Sequence, residues 1–298
     1  KILQFTLHDG LTENGKSSEL LQLDNSILLE YLTKDDTKNT SLEKKDLLWK
    51  YYIKLNKFIE AARVLFGLGI DETLGLNINK RLEYLTRANG LSKTKNISTD
   101  VTELIAEIEL YLKVANIQYE ILTMLKDDSR PIEKKLKASM IHELSETKIL
   151  TCDYLFNEFA EPLNYKEICL LIFNLTNFKN VDVILDTWEK FFGEFTEFGS
   201  LKILQMNFIK LGNRLNDNKH LFLIDKLVVM LIKYCNKTFK KELEQISNYD
   251  GEEFFSTTLL KCGISYEKLD YHFKDLIINS DDNEVVNVLK KSMQNLIK

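Results

Sequence analysis

The chain has 298 residues and a formal net charge of −5 at pH 7. It contains two prolines and eleven glycines, too few to form the turns between the many short strands of an all-β or α/β fold. The composition therefore predicts an almost wholly helical protein. Lysine dominates the basic residues and arginine occurs at only five positions, so the sequence lacks the arginine-rich stripe that is typical of proteins binding DNA or RNA.

The first predicted helix covers about residues 19–32, where apolar side chains recur with helical spacing. A polar stretch follows it. The Thr40-x-x-Glu43 sequence then has the form of a capping box, in which each of the two side chains bonds the backbone N–H of the other residue. This pattern predicts the start of a second helix, which continues to about Leu55.

The segment 58–66 is predicted to pair with this second helix in a helical hairpin. Its Ala61 and Ala62 add little bulk at one turn, so a neighbouring helix can approach closely there. Gly67 and Gly69 follow the segment. Because glycine is common just past the end of a helix, the helix is predicted to end at these two residues.

A helix over about 77–88 is predicted to stop at Gly90, and a longer helix is predicted from Val101 to Lys126. The longer helix carries apolar residues on two faces. One stripe comprises Val101, Leu104, Ile105, Ile108, Leu112, Ala115, Tyr119 and Leu122, and the other comprises Leu110, Val114, Ile117, Ile121 and Leu125. A helix that is apolar on two faces packs between neighbours, which is typical of helical solenoids.

Further helical patterns follow, with short connections between them. They cover residues 131–145, 147–160, 165–175, 181–193, 200–214, 219–236, 252–262, 265–278 and 282–297. Because no linker divides the sequence and no fixed-period repeat recurs, residues 1–298 are predicted to form a single all-α segment, an irregular α-helical solenoid of roughly thirteen antiparallel helices. Periodicity alone leaves open a compact helical bundle or an all-α enzyme.

The sequence contains no recognisable catalytic, zinc-binding or phosphate-binding motif. Its cysteines lie far apart, mostly in apolar helical patterns where a free thiol acts as a small hydrophobe, as is typical of the cytosol or nucleus. They are Cys152, Cys169, Cys235 and Cys262. Acidic pairs such as Glu158 and Glu161 are better explained as solvated helix faces than as acid/base pairs. We therefore expect no catalytic residue, no cofactor and no metal ion.

One aromatic cluster is a candidate for partner binding. It comprises Trp188, Phe191, Phe192, Phe195 and Phe198, and the first four of these fall on one helical face. Core packing is the default interpretation. The more specific alternative is that these side chains line a groove for a partner's peptide, because binding hot spots favour aromatic side chains.

Several sequence blocks resemble, in order, the C-terminal solenoid of the inner-ring scaffold nucleoporins, in the non-repetitive/WGA-negative nucleoporin family. They are LLWKYYIKLNKFIEAARVLFGL at 47–68, INKRLEYLTRANG at 78–90, LKVANIQYEIL at 112–122 and ILTCDYLFNEFAEPLNYKEICLLIF at 149–173. Weaker similarity continues at 183–192 and 263–277, and the similarity is weakest between residues 199 and 262. The resemblance covers nearly the whole chain.

The resemblance implies a structural, non-enzymatic component of the inner ring of the nuclear pore complex, located at the nuclear envelope. Such a component binds other nucleoporins, in particular linear segments of linker nucleoporins, and supports nucleocytoplasmic transport of proteins and mRNA. It also implies a larger protein with an upstream β-propeller that carries any membrane contact, and a start at Lys1 rather than methionine agrees with a segment of a larger C-terminal domain. The alternative is a helical solenoid of the vesicle-coat or adaptor type.

Overall fold

The computed structural model describes residues 26–33, 42–94, 99–146, 148–195, 200–249 and 254–296. Over these ranges the chain forms fifteen α-helices with short 3₁₀- and π-helical turns, and no β-strand. The all-α fold that the composition predicts is therefore confirmed. The chain divides into two compact units, residues 1–155 and 156–298, and each is described by itself. That residues 1–298 form one segment stays a prediction.

Some predicted features lie outside the described residues. They are residues 19–25 of the first predicted helix, Thr40 of the predicted capping box, Phe198, and the terminal residues 147, 252–253 and 297 of three predicted helices.

Seven α-helices are described in the first unit. They are α1 (Ser26–Thr33), α2 (Leu42–Lys54), α3 (Phe58–Ile70), α4 (Ile78–Ser92), α5 (Thr99–Asp127), α6 (Lys134–Glu146) and the single turn α7 (Cys152–Tyr154). From α2 to α6, each helix packs mainly against its neighbour in sequence. Short connections favour this arrangement because they place consecutive helices side by side.

The hairpin of α2 and α3 forms as predicted, with Ala61 and Ala62 completely buried. Its connection is a tight turn in which Asn56 adopts a left-handed backbone conformation with φ of 57°. The N–H of Lys57 donates to the carbonyl of Tyr52 at 2.8 Å, which is the long bond of a Schellman helix end. The turn therefore stops α2 and starts α3 within a few residues.

The prediction that Gly67 and Gly69 end α3 is wrong, because the helix continues to Ile70. Gly69 lies against α4, where an added Cβ would come 2.9 Å from the side chain of Leu85. The close approach of two helices, rather than a turn, requires glycine at this position. α4 also continues past Gly90, where the sequence predicts its end.

The end of α3 is held by Arg81, a buried side chain of α4. Its Nη1 donates to the carbonyl oxygens of Gly69 at 2.9 Å and Asp71 at 3.1 Å, and its Nε donates to the carbonyl of Leu76 at 3.0 Å. Burial lowers the pKa of this guanidinium. These backbone partners satisfy donors that would otherwise be buried unpaired, and they tie the α3–α4 connection to α4.

The long helix α5 is buried on two faces, as its two stripes predict. Ile108 and Leu122 of the first stripe and Ile121 and Leu125 of the second are all buried. Leu110 of the second stripe and Tyr119 of the first are exceptions, because their side chains are 48% and 40% exposed. α5 therefore packs between neighbours over most of its length.

The second unit contains eight α-helices among its described residues. They are α8 (Lys166–Leu175), α9 (Val181–Gly193), α10 (Leu201–Leu215), α11 (Ile224–Thr238), α12 (Lys240–Tyr249), α13 (Phe254–Lys261), α14 (Tyr266–Asn279) and α15 (Asn283–Leu296). α9 packs against α8 and α11, and α15 packs against α13 and α14.

The helix predicted over 147–160 begins only at Cys152, and from Leu155 to Ala160 it is π-helical. Residues 148–151 are not helical. The N–H of Leu150 donates to the side-chain oxygen of Gln118 at 2.8 Å, so this residue is paired with α5 rather than within a helix.

Two further predictions, both on the stretch 219–249, differ from the structure. The helix predicted from residue 219 starts at Ile224, and α12 is not predicted at all. The sequence of α12, KKELEQISNY, has few apolar residues, so little apolar pattern marks it as a helix. Across the described ranges, no helix combines the length and apolar content that a bilayer span requires.

Candidate partner-binding surface

The predicted aromatic cluster lies on α9, and most of it faces the core of the second unit. Trp188, Phe191 and Phe192 are each 0–1% exposed. The indole Nε1 of Trp188 donates to the carbonyl of Leu221 at 3.0 Å, and its ring centroid lies 5.7 Å from that of Phe208. A buried tryptophan with its N–H satisfied and aromatic neighbours is a core residue. Core packing therefore describes these three side chains.

The rest of the cluster is less buried or not described. Phe195 is half-buried and meets Phe191 edge-on, with ring centroids 5.3 Å apart. Phe198 lies outside the described residues. Whether any of the five candidates contacts a partner stays a prediction.

A groove of about 520 Å³ opens beside this cluster, between α9 and α11, and we call it the α9–α11 groove. Its apolar lining comprises Leu185, Phe192, Met230 and Tyr234. Its charged lining comprises Asp182, Asp186 and Glu189 from α9, and Lys233 and Lys237 from α11. The charged residues from one helix are all acidic and those from the other are all basic. Apolar lining with a few placed charges is typical of binding sites.

Helix geometry produces this separation of charge. Asp182, Asp186 and Glu189 are spaced four and three residues apart, which places them along one face of α9. Lys233 and Lys237 are four residues apart on α11 and also share a face. The sequence alone does not predict this groove. The spacing of the three carboxylates was the available signal, but only the fold brings it opposite the two lysines.

Some of these charges already have partners within the unit. Asp186 accepts from Lys190 at 2.8 Å on the same helix, and this hydrogen bond raises the pKa of Lys190. Lys233 donates to Asp282 at 3.0 Å, which lowers the pKa of that carboxyl. Asp182 and Glu189 have no charged partner among the residues that the structure describes. The α9 side of the groove therefore offers carboxylates that can accept a new partner.

A second groove, of about 430 Å³, lies where α11 ends, next to α12, α13 and α15. Its lining comprises Asn236, Lys240, Leu243, Glu244, Phe254, Phe255, Glu284, Asn287, Val288 and Lys291. Lysine and glutamate side chains are mixed around it, and Phe254 and Phe255 are buried. The charged side chains of this groove therefore have no consistent sign.

Two of the cysteine thiols and one of the acidic residues considered above are engaged within the fold. Burial raises the pKa of the Cys169 and Cys262 thiols to about 12, so they are protonated at neutral pH. Glu161, one of the acidic residues considered above, accepts from the buried Lys166 at 2.6 Å, and this bond lowers the pKa of its carboxyl. In the described ranges, no group of three or more potential ligands could hold a metal ion.

Comparison with known families identifies relatives over the whole chain. The sequence profile described as non-repetitive/WGA-negative nucleoporin C-terminal matches residues 1–298. Nucleoporin NUP170 of Saccharomyces cerevisiae is 30% identical over 302 residues, which cover 96% of this chain and 19% of that protein. Nuclear pore complex protein Nup154 of Drosophila melanogaster is 27% identical over 190 residues, which cover 63% of this chain and 14% of that protein.

Solved structures show the same fold. The Nup170 C-terminal domain of Chaetomium thermophilum, in its complex with Nup145N, matches with a TM-score of 0.85 and 22% identity, covering 99% of this chain and 60% of that one. The predicted α-solenoid fold is therefore confirmed. The chain spans about a fifth of the length of the curated relatives from S. cerevisiae and Schizosaccharomyces pombe.

Proposed function

The chain belongs to the non-repetitive/WGA-negative nucleoporin C-terminal family, and from this membership we propose that it is a structural part of the nuclear pore complex that binds other nucleoporins. The match of the family profile to every residue from 1 to 298 is the observation that carries this proposal. The relatives from yeast and fly, one named a nucleoporin and the other a nuclear pore complex protein, support it.

The expected partners are linear segments of other nucleoporins. The solved structure of the related C-terminal domain from C. thermophilum contains Nup145N as its partner. The α9–α11 groove of this chain has an apolar lining and charged sides, which are the properties that recognise an extended or helical peptide. The protein accordingly acts by holding partners in place at the nuclear envelope, in support of nucleocytoplasmic transport.

A binding role accounts for the described surface better than an enzymatic one. The thiols of Cys169 and Cys262 are buried and protonated, and Glu161 is engaged by Lys166. The grooves, in contrast, are open to solvent and lined by side chains suited to peptide contacts. We propose that the protein carries out no catalysis.

Localisation and co-purification of the full-length protein test this function. We expect the fluorescently tagged protein, expressed from its own locus, to form a punctate nuclear rim and to co-purify with other nucleoporins. Location on cytoplasmic vesicles, with coat or cargo proteins as the co-purified partners, would contradict the proposal and favour a coat or adaptor solenoid.

A further inference from the structure

The side chains of the α9–α11 groove separate into a negative and a positive side. Asp182 and Glu189 of α9 are exposed and have no charged partner in the described ranges. On the opposite side, Lys233 is engaged by Asp282 at 3.0 Å, which leaves Lys237 as the less constrained ammonium group. The groove therefore has an excess of available negative charge along α9 and one available positive charge on α11.

The apolar lining of this groove is accessible between these two sides. Leu185, Met230 and Tyr234 are each partly exposed. The ring of Tyr234 stacks on the buried ring of Phe192 with centroids 5.7 Å apart, which fixes its position. A fixed aromatic side chain beside flexible aliphatic ones is favourable for binding, because little conformational entropy is lost when apolar groups pack on it.

We propose that the α9–α11 groove binds a linear segment of another nucleoporin in which apolar side chains are flanked by lysine or arginine side chains. The apolar side chains pack on Leu185, Met230 and Tyr234, while the basic side chains pair with Asp182 and Glu189. Opposite charges across an interface fix the orientation of a bound segment. This assignment rests on the proposed function, and it adds the site and the chemistry of the partner.

Synthetic peptides of 25 residues, tiling the non-globular regions of the nucleoporins of the same organism, provide the probe. Binding of each labelled peptide to the whole chain is measured by fluorescence anisotropy. We compare the wild type with Met230→Asp in the apolar lining and Glu189→Lys on the acidic side. Glu158→Lys is the matched control, because Glu158 is also an exposed carboxylate of the second unit but does not line the groove.

We expect at least one peptide with apolar and basic residues to bind the wild type. Met230→Asp should weaken its binding about tenfold or more, because a charge then faces apolar side chains. Glu189→Lys should weaken it by about three- to tenfold at low salt and less at high salt, since the lost pair is exposed. Glu158→Lys should have no effect. Changing one basic residue of the peptide to glutamate should restore binding to the Glu189→Lys variant.

The peptide-binding measurements distinguish a failure of the groove assignment from a failure of the proposed function. If a peptide binds the wild type and both groove variants with equal affinity, the segment binds elsewhere, so the groove assignment is wrong while the proposed function stands. If no peptide binds the wild type, the binding function and the assignment both fail. Should Met230→Asp lower the melting temperature strongly, Glu189→Lys decides the outcome, because its side chain is on the surface.

Discussion

Arg81 is a buried cation whose donors are satisfied by backbone carbonyls of Leu76, Gly69 and Asp71. Lysine at this position would retain the charge but could not reproduce the planar fork of the guanidinium. We therefore expect Arg81→Lys to lower the free energy of unfolding by about 2–4 kcal/mol, because buried carbonyl oxygens would lose their partners. Urea unfolding followed by circular dichroism measures this change.

Arg87 provides the control for this substitution. It lies on the same helix as Arg81, but it is exposed and pairs with Glu83 at 2.9 Å. Because an exposed ion pair contributes little, Arg87→Lys should change the free energy of unfolding by less than about 0.5 kcal/mol. Equal effects of the two substitutions would contradict the role assigned to Arg81.

At the scale of the helix, Gly67 and Gly69 of α3 should respond to alanine in opposite directions. An added Cβ at Gly67 meets no atom within 4 Å, so Gly67→Ala should stabilise the protein by about 0.5–1 kcal/mol through the higher helix propensity of alanine. Gly69→Ala would place its Cβ 2.9 Å from the buried Leu85 and should destabilise by about 1–2 kcal/mol.

Melting temperatures of the two alanine variants measure this contrast within one helix. Since the substitution is identical and the positions are two residues apart, differences in propensity largely cancel. Stabilisation by both variants would show that α3 and α4 are not in close contact at Gly69.

Gln118 connects α5 to the segment that follows α6. Its side chain is completely buried, with Nε2 donating to the carbonyls of Leu144 at 2.9 Å and Lys148 at 3.1 Å. Its Oε1 accepts from the N–H of Leu150 at 2.8 Å. Gln118→Leu should lower the free energy of unfolding by about 2–4 kcal/mol, because three backbone groups, two of them in buried hydrogen bonds, would lose their partner.

Hydrogen exchange at the Leu150 amide measures the local effect of Gln118→Leu, and we expect faster exchange in this variant. Asn116→Ala is the control, because Asn116 lies on the same helix but is exposed, and its side chain donates to the Leu112 carbonyl of its own helix. Unchanged exchange at Leu150 in Gln118→Leu would contradict the connecting role of Gln118.

A helix start that is capped by a side chain has a local signal in the sequence, whereas the end of α3 has none. The side chains of Asn77 and Asn180 accept hydrogen bonds from N–H groups three residues later, at 2.9 and 3.3 Å, and such caps are visible in the sequence. The end of α3 depends instead on Arg81, a residue of another helix. Contacts between elements have no local pattern in the sequence, so Gly67 and Gly69 wrongly predict the end of α3.

At the scale of the whole molecule, the fold class and the family could be predicted, but the groove could not. The scarcity of proline and glycine predicts helices, and the ordered blocks between 47 and 173 indicate the family. The sequence shows the aromatic cluster at 188–198, but spacing alone does not show which of its side chains are buried. The α9–α11 groove combines residues from two helices separated along the sequence, and only their packing brings Glu189 and Lys237 to one site.

Acid should destabilise the whole molecule, because carboxyl groups in both units have a pKa below the ordinary value. They are Asp46, Asp71, Glu83, Glu109, Glu161 and Asp282. A carboxyl whose pKa is lower in the folded protein binds fewer protons there than in the unfolded chain. Its stabilising contribution is therefore complete above the unfolded pKa, and it is lost as the pH falls through the folded pKa.

Glu161 is the clearest test of this pH dependence, because its pKa is lowered from 4.5 mainly by the hydrogen bond from the buried Lys166. Glu161→Gln should lower the free energy of unfolding by about 1–2 kcal/mol at pH 7, since half of the Glu161 side chain is exposed and the pair is partly screened. The difference from the wild type should shrink as the pH falls below 4.5 and vanish once Glu161 is protonated in the folded wild type.

Urea midpoints between pH 7 and pH 2.5 measure both curves, and Glu158→Gln should follow the wild type throughout. A difference that stays constant with pH would show that Glu161 stabilises the protein through packing and not through its charge.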